Sequence, residues 1–215
     1  MEFKAVIFDM DGTLVDSEVV WEAAEGEMFA ERGLIYSDEV RQQVIGLRLD
    51  EFFEKLIAIY KLDEAVPSLQ MELIERMIAK IPTLVKPKPG AQALIEWTAQ
   101  QGVPYCIASS SPMSIIEAVV KSQNWGELIP HLYTADSVDK GKPAPDVYIY
   151  AAQQLGVDPE DCLAIEDSPA GAKAAVAAGM TCYVVPDFHS HPEAFEQITP
   201  HVFHDLNVIL EILDV

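Results

Sequence analysis

An α/β fold built on a parallel sheet is predicted by two features of this 215-residue chain. From about residue 86 onward, short apolar runs alternate with longer stretches whose apolar residues recur every three or four positions. Alternation of that kind argues for βαβ units and a parallel sheet. In addition, polar residues capable of chemistry cluster where three of the apolar runs end, and open α/β sheets bind ligands outside the carboxyl ends of their strands.

The elements follow in order. Residues 4–8 read as a first buried strand. The pattern then turns helical over residues 18–84, with acidic side chains mixed among Met, Leu, Ile and Phe at spacings of three and four. Phe29, Phe52, Phe53, Leu56, Ile57 and Tyr60 read as its helical core. Gly33 and Pro67 punctuate the segment, and Pro82 with Lys86-Pro87-Lys88-Pro89-Gly90 closes it as a linker or domain boundary. Helix 91–101 then leads to strand 103–109, helix 112–122 to a short strand at 132–135, helix 147–155 to strand 162–165, and helix 170–178 to strand 181–185. There is no internal repeat and no low-complexity segment.

Composition limits the function. Half of the residues are hydrophobic and 23% are charged, which is ordinary for a globular chain, and the length suffices for one large domain or a core with a smaller insert. The 14 Lys and Arg face 35 Asp and Glu, a formal charge of -21. Such an excess repels nucleic acid and anionic membranes, so neither is expected as a partner. It also repels phosphorylated substrates at long range, and a phosphate site here needs its own local positive charge. No Arg-flanked apolar leader opens the chain and no apolar stretch approaches the ~20 residues of a membrane helix. A soluble cytoplasmic protein is expected, monomeric rather than oligomeric. Cys106, Cys162 and Cys182 are odd in number and sit in β-like runs, which reads as buried reduced thiols rather than disulfides or a metal cluster.

The most informative residues are Asp9-Met10-Asp11-Gly12-Thr13-Leu14, directly after Ala5-Val6-Ile7-Phe8. Asp is disfavoured in strands, and a carboxylate beside buried apolar surface is costly unless it is paired or bound to a metal. A functional site explains this better than folding does. Ser109-Ser110-Ser111 and Glu166-Asp167 end two further apolar strands. Lys140-Gly141-Lys142-Pro143-Ala144-Pro145-Asp146 is a loop in which Pro143 and Pro145 restrict the backbone, so that a lysine can be held as a phosphate-facing charge.

In order and spacing, Asp9-Met10-Asp11-Gly12-Thr13, the Ser109 strand end, Lys142 within Gly-Lys-Pro-Ala-Pro-Asp, and Glu166-Asp167-Ser168-Pro169-Ala170-Gly171 resemble the four motifs of the haloacid dehalogenase superfamily. Each motif alone is weak evidence; together they are specific. The resemblance implies a Rossmann-like parallel sheet with helices on both faces over residues 1–16 and 86–215, and an α-helical cap inserted at 17–85. Within the superfamily the likeness is to sugar phosphatases of the hexitol phosphatase and 2-deoxyglucose-6-phosphatase type and to β-phosphoglucomutases. It implies a small phosphorylated metabolite as substrate, most simply a sugar or polyol phosphate.

Chemistry explains why those residue types serve that reaction. A phosphate dianion repels a carboxylate nucleophile by roughly 2 kcal/mol at 4 Å in water, and several-fold more at an effective dielectric near 20. Attack by Asp9 through a phospho-aspartate therefore needs cations. Carboxylates of Asp9 and Asp167 with the backbone carbonyl of Asp11 suit magnesium, Lys142 adds a fixed charge, and Ser109 can donate to a phosphoryl oxygen. Asp11 is the candidate acid and base, protonating the leaving alcohol and then taking a proton from water. Glu166 either ligates through water or holds Lys142 by a salt bridge, the latter being favoured. Of the three serines before Pro112, at least one is expected to serve only as a helix cap; Ser109 and Ser110 are the candidates for substrate contact. Lys140 reads as a solvated surface residue, Trp97 and Trp125 as packing residues, and His189 with His191 as too poorly supported by other ligands for zinc.

In the helical segment, Gly46-Leu47-Arg48 resembles a cap loop that brings an arginine to the substrate phosphate, which makes Arg48 a candidate contact. Glu18 and Trp21 lie where the chain leaves the core and are placed to face the leaving group. Trp21 stands where β-phosphoglucomutases carry a histidine, which favours hydrolysis over phosphoryl return. A phosphosugar mutase and a phosphoglycolate-type phosphatase are the alternatives. A haloacid dehalogenase needs neither Asp11 nor the Glu166-Asp167 pair, and a silent binding protein would not need the intact constellation.

Overall fold

The computed structural model describes residues 3–44, 47–187 and 191–214. Strand β1 (Ala5–Phe8) ends in a tight turn and is followed by β2 (Val15–Asp16). Four helices come next: α1 (Glu18–Glu31), α2 (Asp38–Val44), α3 (Leu49–Tyr60) and α4 (Val66–Leu84). The chain returns through β3 (Lys86–Pro87), which pairs antiparallel with β2 so that Val15 lies opposite Pro87 and Asp16 opposite Lys86. Exit from the sheet and re-entry to it are therefore side by side. The amide of Lys88 extends the pairing by donating to the Leu14 carbonyl at 2.9 Å.

The remainder alternates: α5 (Ala91–Gln100), β4 (Tyr105–Ser109), α6 (Met113–Ser122), β5 (Leu132–Thr134), α7 (Asp146–Leu155), β6 (Cys162–Glu166), α8 (Pro169–Ala177), β7 (Thr181–Val184) and α9 (Leu206–Leu213). Strand β4 begins at Tyr105 rather than 103 because Pro104 has no N–H for the ladder; its carbonyl still accepts from Val6 at 3.1 Å. Helix α9 carries no expectation from periodicity. Its start is set by Asp205, whose carboxylate accepts from the amides of Asn207 and Val208 at 2.8 and 3.1 Å. Pro82 does not end α4, which continues to Leu84.

Five strands form one parallel sheet in the order β5-β4-β1-β6-β7. The chain builds outward from β1 through β4 to β5, then crosses to the other side for β6 and β7. Strand β1 thus lies at the switch point, where the connections at its carboxyl end diverge and leave a crevice. Alternate residues of β1 supply two cores. Val6 and Phe8 pack with Leu94 and Ile95 of α5, Ile116 of α6 and Ile209 of α9. Ala5 and Ile7 pack on the opposite face with Val147 and Ala151 of α7 and Ala172 and Ala175 of α8. Helices therefore cover both faces, as a fully buried parallel sheet requires.

The cluster containing Phe8 continues through Met10, Leu14 and Val20 into the inserted helices, where Phe29, Phe52, Phe53 and Leu56 are buried and Ile57 and Tyr60 are half-buried. Cys106, Cys162 and Cys182 are free and buried on β4, β6 and β7. Trp125 is buried, Trp97 half-buried and Lys140 exposed. Among the described residues no helix is long and apolar enough to cross a membrane.

Phe53, fully buried and edge-on to Phe52 at 4.9 Å, is expected to cost about 3–5 kcal/mol when replaced by Ala. Chemical denaturation of Phe53→Ala against wild type measures it; a loss below ~1 kcal/mol would show that the inserted helices repack freely.

Candidate active site

Lys142 and three carboxylates meet at the carboxyl end of β1. Asp9 directly follows β1, Glu166 is the last residue of β6, and Asp167 comes next. Lys142 reaches them from the loop before α7. Its Nζ donates to Asp9 Oδ1 at 2.6 Å, to Glu166 Oε1 at 2.7 Å and to the Ala108 carbonyl at 3.3 Å, and lies 4.8 Å from the centre of the Tyr148 ring. Burial opposes the lysine's charge, but Asp9 and Glu166 outweigh it and raise its pKa further above the usual lysine value.

Glu166 is almost wholly committed to holding this arrangement. Oε1 also accepts from the Tyr148 hydroxyl at 2.6 Å, while Oε2 accepts from the amides of Asp167 and Ser168 at 3.0 and 3.2 Å and from the Ser168 hydroxyl at 3.2 Å. Burial works against its charge, yet Lys142 and these donors keep its carboxyl below the usual range. Ser168 in turn caps α8, accepting from the Gly171 amide at 3.0 Å, with Pro169 at the first helical position. The helix approaches so closely that a Cβ on Gly171 would sit 1.7 Å from Glu166 Oε1.

Asp11 occupies a second cradle made of hydroxyls. Ser17 donates to Oδ1 at 2.7 Å, and Ser109 and Ser111 donate to Oδ2 at 3.0 and 2.8 Å. Ser109 itself accepts from the Ser111 amide at 2.9 Å. The cradle draws its serines from the end of β4, the loop after it and the start of α1, so it forms only when the sheet and the first inserted helix are both in place.

Asp167 is held by Thr13, whose hydroxyl donates to Oδ1 at 2.9 Å. Gly12 lies in the left-handed region at φ +80°, and a Cβ there would come within 2.3 Å of Asp167 Oδ2. Asp9, Glu166 and Asp167 each place an oxygen within 4.8 Å of the others. Three buried carboxylates against one lysine leave an excess of negative charge. Burial, with Glu166 and Asp9 adding to it, raises Asp167 well above the usual carboxylate range, and burial lifts Asp9 to about 7 even with Lys142 opposing. Excess buried charge on hard oxygen donors fits a divalent cation such as magnesium.

A cavity of about 350 Å³ opens from Asp9, Asp11 and Asp167 toward the inserted helices. Glu18, Trp21, Glu25, Tyr36 and Arg41 line its far side, with apolar wall from Val44, Leu47, Leu49 and Phe52. The size suits a small-molecule ligand.

A family model described as a haloacid dehalogenase-like hydrolase matches residues 3–179. The chain belongs to that family. Hexitol phosphatase B of Escherichia coli strain K12 is 36% identical over 190 residues, which cover 86% of this chain and 84% of that one. A probable pseudouridine-5'-phosphatase of Drosophila melanogaster is 33% identical over 91% of this chain and 85% of its own. Among solved structures, CbbY from Rhodobacter sphaeroides in complex with phosphate superposes with a TM-score of 0.88 at 25% identity, covering 99% of this chain and 100% of that one.

In this hydrolase the fold brings together Asp9, Asp11, Ser109, Lys142, Glu166 and Asp167, and Ser110, Glu18 and Trp21 also line the cavity. Arg48 is not brought there. Its guanidinium forks onto Asp50 and reaches the Asp139 carbonyl at 3.5 Å, because Asp50 lies two residues on in the first turn of α3. The cavity-lining guanidinium belongs instead to Arg41 of α2. Gly46 of the expected cap loop and His189 lie outside the described residues, and His191 is exposed. None of the three serines caps α6, whose cap position is Pro112. Ser111 and Thr13, which the motifs contain without a site role, hold Asp11 and Asp167, while Ser17 and Tyr148 carry no sequence expectation. A polar residue beside each motif was the available signal for the first three; Tyr148 is revealed only by the helix packing.

Gly171→Ala is expected to displace Glu166, since a methyl cannot occupy a site 1.7 Å from a carboxylate oxygen. Thermal unfolding should show a loss of about 1–3 kcal/mol. A variant as stable as wild type would mean that α8 can move away from β6 without cost.

Proposed function

We propose that this hydrolase is a magnesium-dependent phosphatase that cleaves a small sugar or polyol phosphate through a phospho-aspartate on Asp9. The observation that carries the reading is the pairing of two differently held carboxylates at one strand end: Asp9 against Lys142, Asp11 within three hydroxyls. Two carboxylates in distinct environments suit two roles.

A carboxylate oxygen of Asp9 attacks phosphorus while the bond to the leaving oxygen breaks and Asp11 delivers a proton to that oxygen. Water then attacks the acyl phosphate with Asp11 taking its proton, which frees inorganic phosphate and restores Asp9. Lys142 stays charged throughout and offsets the charge on the phosphoryl oxygens. Ser109 and Ser110 lie where they can turn a hydroxyl to the phosphoryl group. Asp9 and Asp167, with the Asp11 carbonyl, would hold magnesium, which supplies charge neutralisation between carboxylate and phosphate when bound. Glu166 acts by fixing Lys142, since both its oxygens are already engaged. The inserted helices would serve as a cap, hinged on the paired β2 and β3, that excludes water and selects substrate. The hexitol phosphatase likeness supports a polyol or sugar phosphate, and the aromatic, carboxylate and guanidinium lining suits a hydroxylated ligand.

Phosphate release from a panel of sugar and polyol phosphates should require magnesium, vanish in excess chelator and return on adding the metal. Full turnover by demonstrably metal-free protein would overturn the reading.

Asp11→Asn should slow an alkyl phosphate at least tenfold more than an activated aryl phosphate, whose leaving group needs little protonation. Equal losses on both esters would leave Asp11 no part in proton transfer.

A further inference from the structure

We propose that Glu25, Tyr36 and Arg41 form a specificity subsite for the non-reacting end of the substrate, and that this end carries hydroxyl groups and no second phosphate. The inference rests on the phosphatase reading and narrows its substrate class.

Glu25 is only 5% exposed, and neither its Oε2 nor the buried hydroxyl of Tyr36 makes a hydrogen bond of ordinary geometry among the described residues, although the two groups are near enough to interact with each other. Both residues line the cavity. Buried polar groups are nearly always satisfied, and a pair left open at the wall of a cavity is ready for a ligand. Arg41 does not fill the role, since its Nε stands 3.9 Å from Glu25 Oε2. The ring of Tyr36 is fixed by stacking on Phe29 at 4.8 Å, so its hydroxyl is held in place before any ligand arrives.

The charge balance selects the ligand. Glu18, Glu22 and Glu25 recur at helical spacing along α1 and face Arg41 of α2, which donates to Glu22 at 2.8 Å and to Glu18. Glu18 and Glu22 already offset Arg41, and Glu25 beside them adds no positive charge, so nothing here attracts a second phosphate. Arg48, the other nearby guanidinium, is occupied by Asp50. A sugar or polyol hydroxyl, by contrast, can donate to Glu25 Oε2 and accept from Tyr36, while Trp21 and Phe52 cover its C–H faces. Burial raises Glu25 to about 7, with Tyr36 and Arg41 acting against it, so its carboxyl can accept or donate toward a hydroxyl near neutral pH.

The test compares kcat/KM, with magnesium, for a six-carbon polyol monophosphate, n-hexyl phosphate of the same length, a hexose bisphosphate and an activated aryl phosphate. Wild type should prefer the polyol ester to hexyl phosphate by at least about tenfold, and disfavour the bisphosphate. Glu25→Gln should reduce that preference about tenfold, and Tyr36→Phe, which keeps the stacked ring, by several-fold. Circular dichroism establishes that both variants are folded. A preference for the bisphosphate, or a polyol-to-hexyl ratio unchanged in both variants, overturns the subsite and leaves the phosphatase reading intact. If wild type hydrolyses none of the four esters, the phosphatase reading fails and the subsite with it.

Discussion

Everything at the end of the sheet is arranged around the buried ammonium of Lys142. A lysine that is nine-tenths or more removed from water persists only if its three donors are met, and here two carboxylates and a carbonyl meet them. Those partners constrain the rest. Glu166 must end β6 beside β1, Tyr148 must turn inward from α7, and α8 must approach so closely that only glycine fits at position 171. Ion pairs of this kind contribute little net stability against a hydrophobic replacement. Their presence is explained by chemistry rather than by folding, and the two apolar cores on either face of the sheet carry the stability that the site does not supply.

The topology decides where that chemistry can occur. Because the chain reverses its direction of building at β1, the loops after β1, β4 and β6 diverge and leave their polar ends around one crevice. The inserted helices enter immediately after β1, so Ser17, at the start of α1, joins Ser109 and Ser111 in holding Asp11. One residue's environment thus depends on both parts of the chain. That coupling gives the helical segment influence over Asp11 through a hydrogen bond that leaves Asp9 untouched.

Much of this was legible in the sequence because the residues concerned are poor choices for folding. Asp9 and Asp11 after a buried apolar run, and Glu166-Asp167 after another, conflict with strand propensity, and such conflicts mark sites. The five strands of the parallel sheet and most helices followed from their periods. What periodicity could not supply was direction. The motif pointed to Arg48, which Asp50 draws aside, while Arg41, which has no motif around it, lines the cavity among Glu18 and Glu22. Tyr148 and Glu25 carry no signal of their own in the sequence, because a polar atom turned inward leaves no mark on a hydrophobic pattern. Helix α9 was missed for a plainer reason, its capping Asp205 being one acidic residue among many.

The charge of the whole molecule makes the division of labour between sheet and helices necessary. At -21 the protein repels phosphate at a distance, and salt screens that repulsion only beyond about 8–10 Å. Attraction must therefore be local and short-ranged, which Lys142 and a divalent cation among the carboxylates can provide at the sheet. The helical side of the cavity has no comparable positive charge to spare, since Arg41 is already met by glutamates. On the proposed reading it would discriminate through hydroxyl contacts and apolar shape. Such a site would, on the same reading, hold the phosphoryl group by the charges at the sheet and leave the remainder of the ligand to side chains of the helical segment. Relatives as similar as these bear names as different as hexitol phosphatase B and probable pseudouridine-5'-phosphatase, and a fold by itself does not fix the ligand.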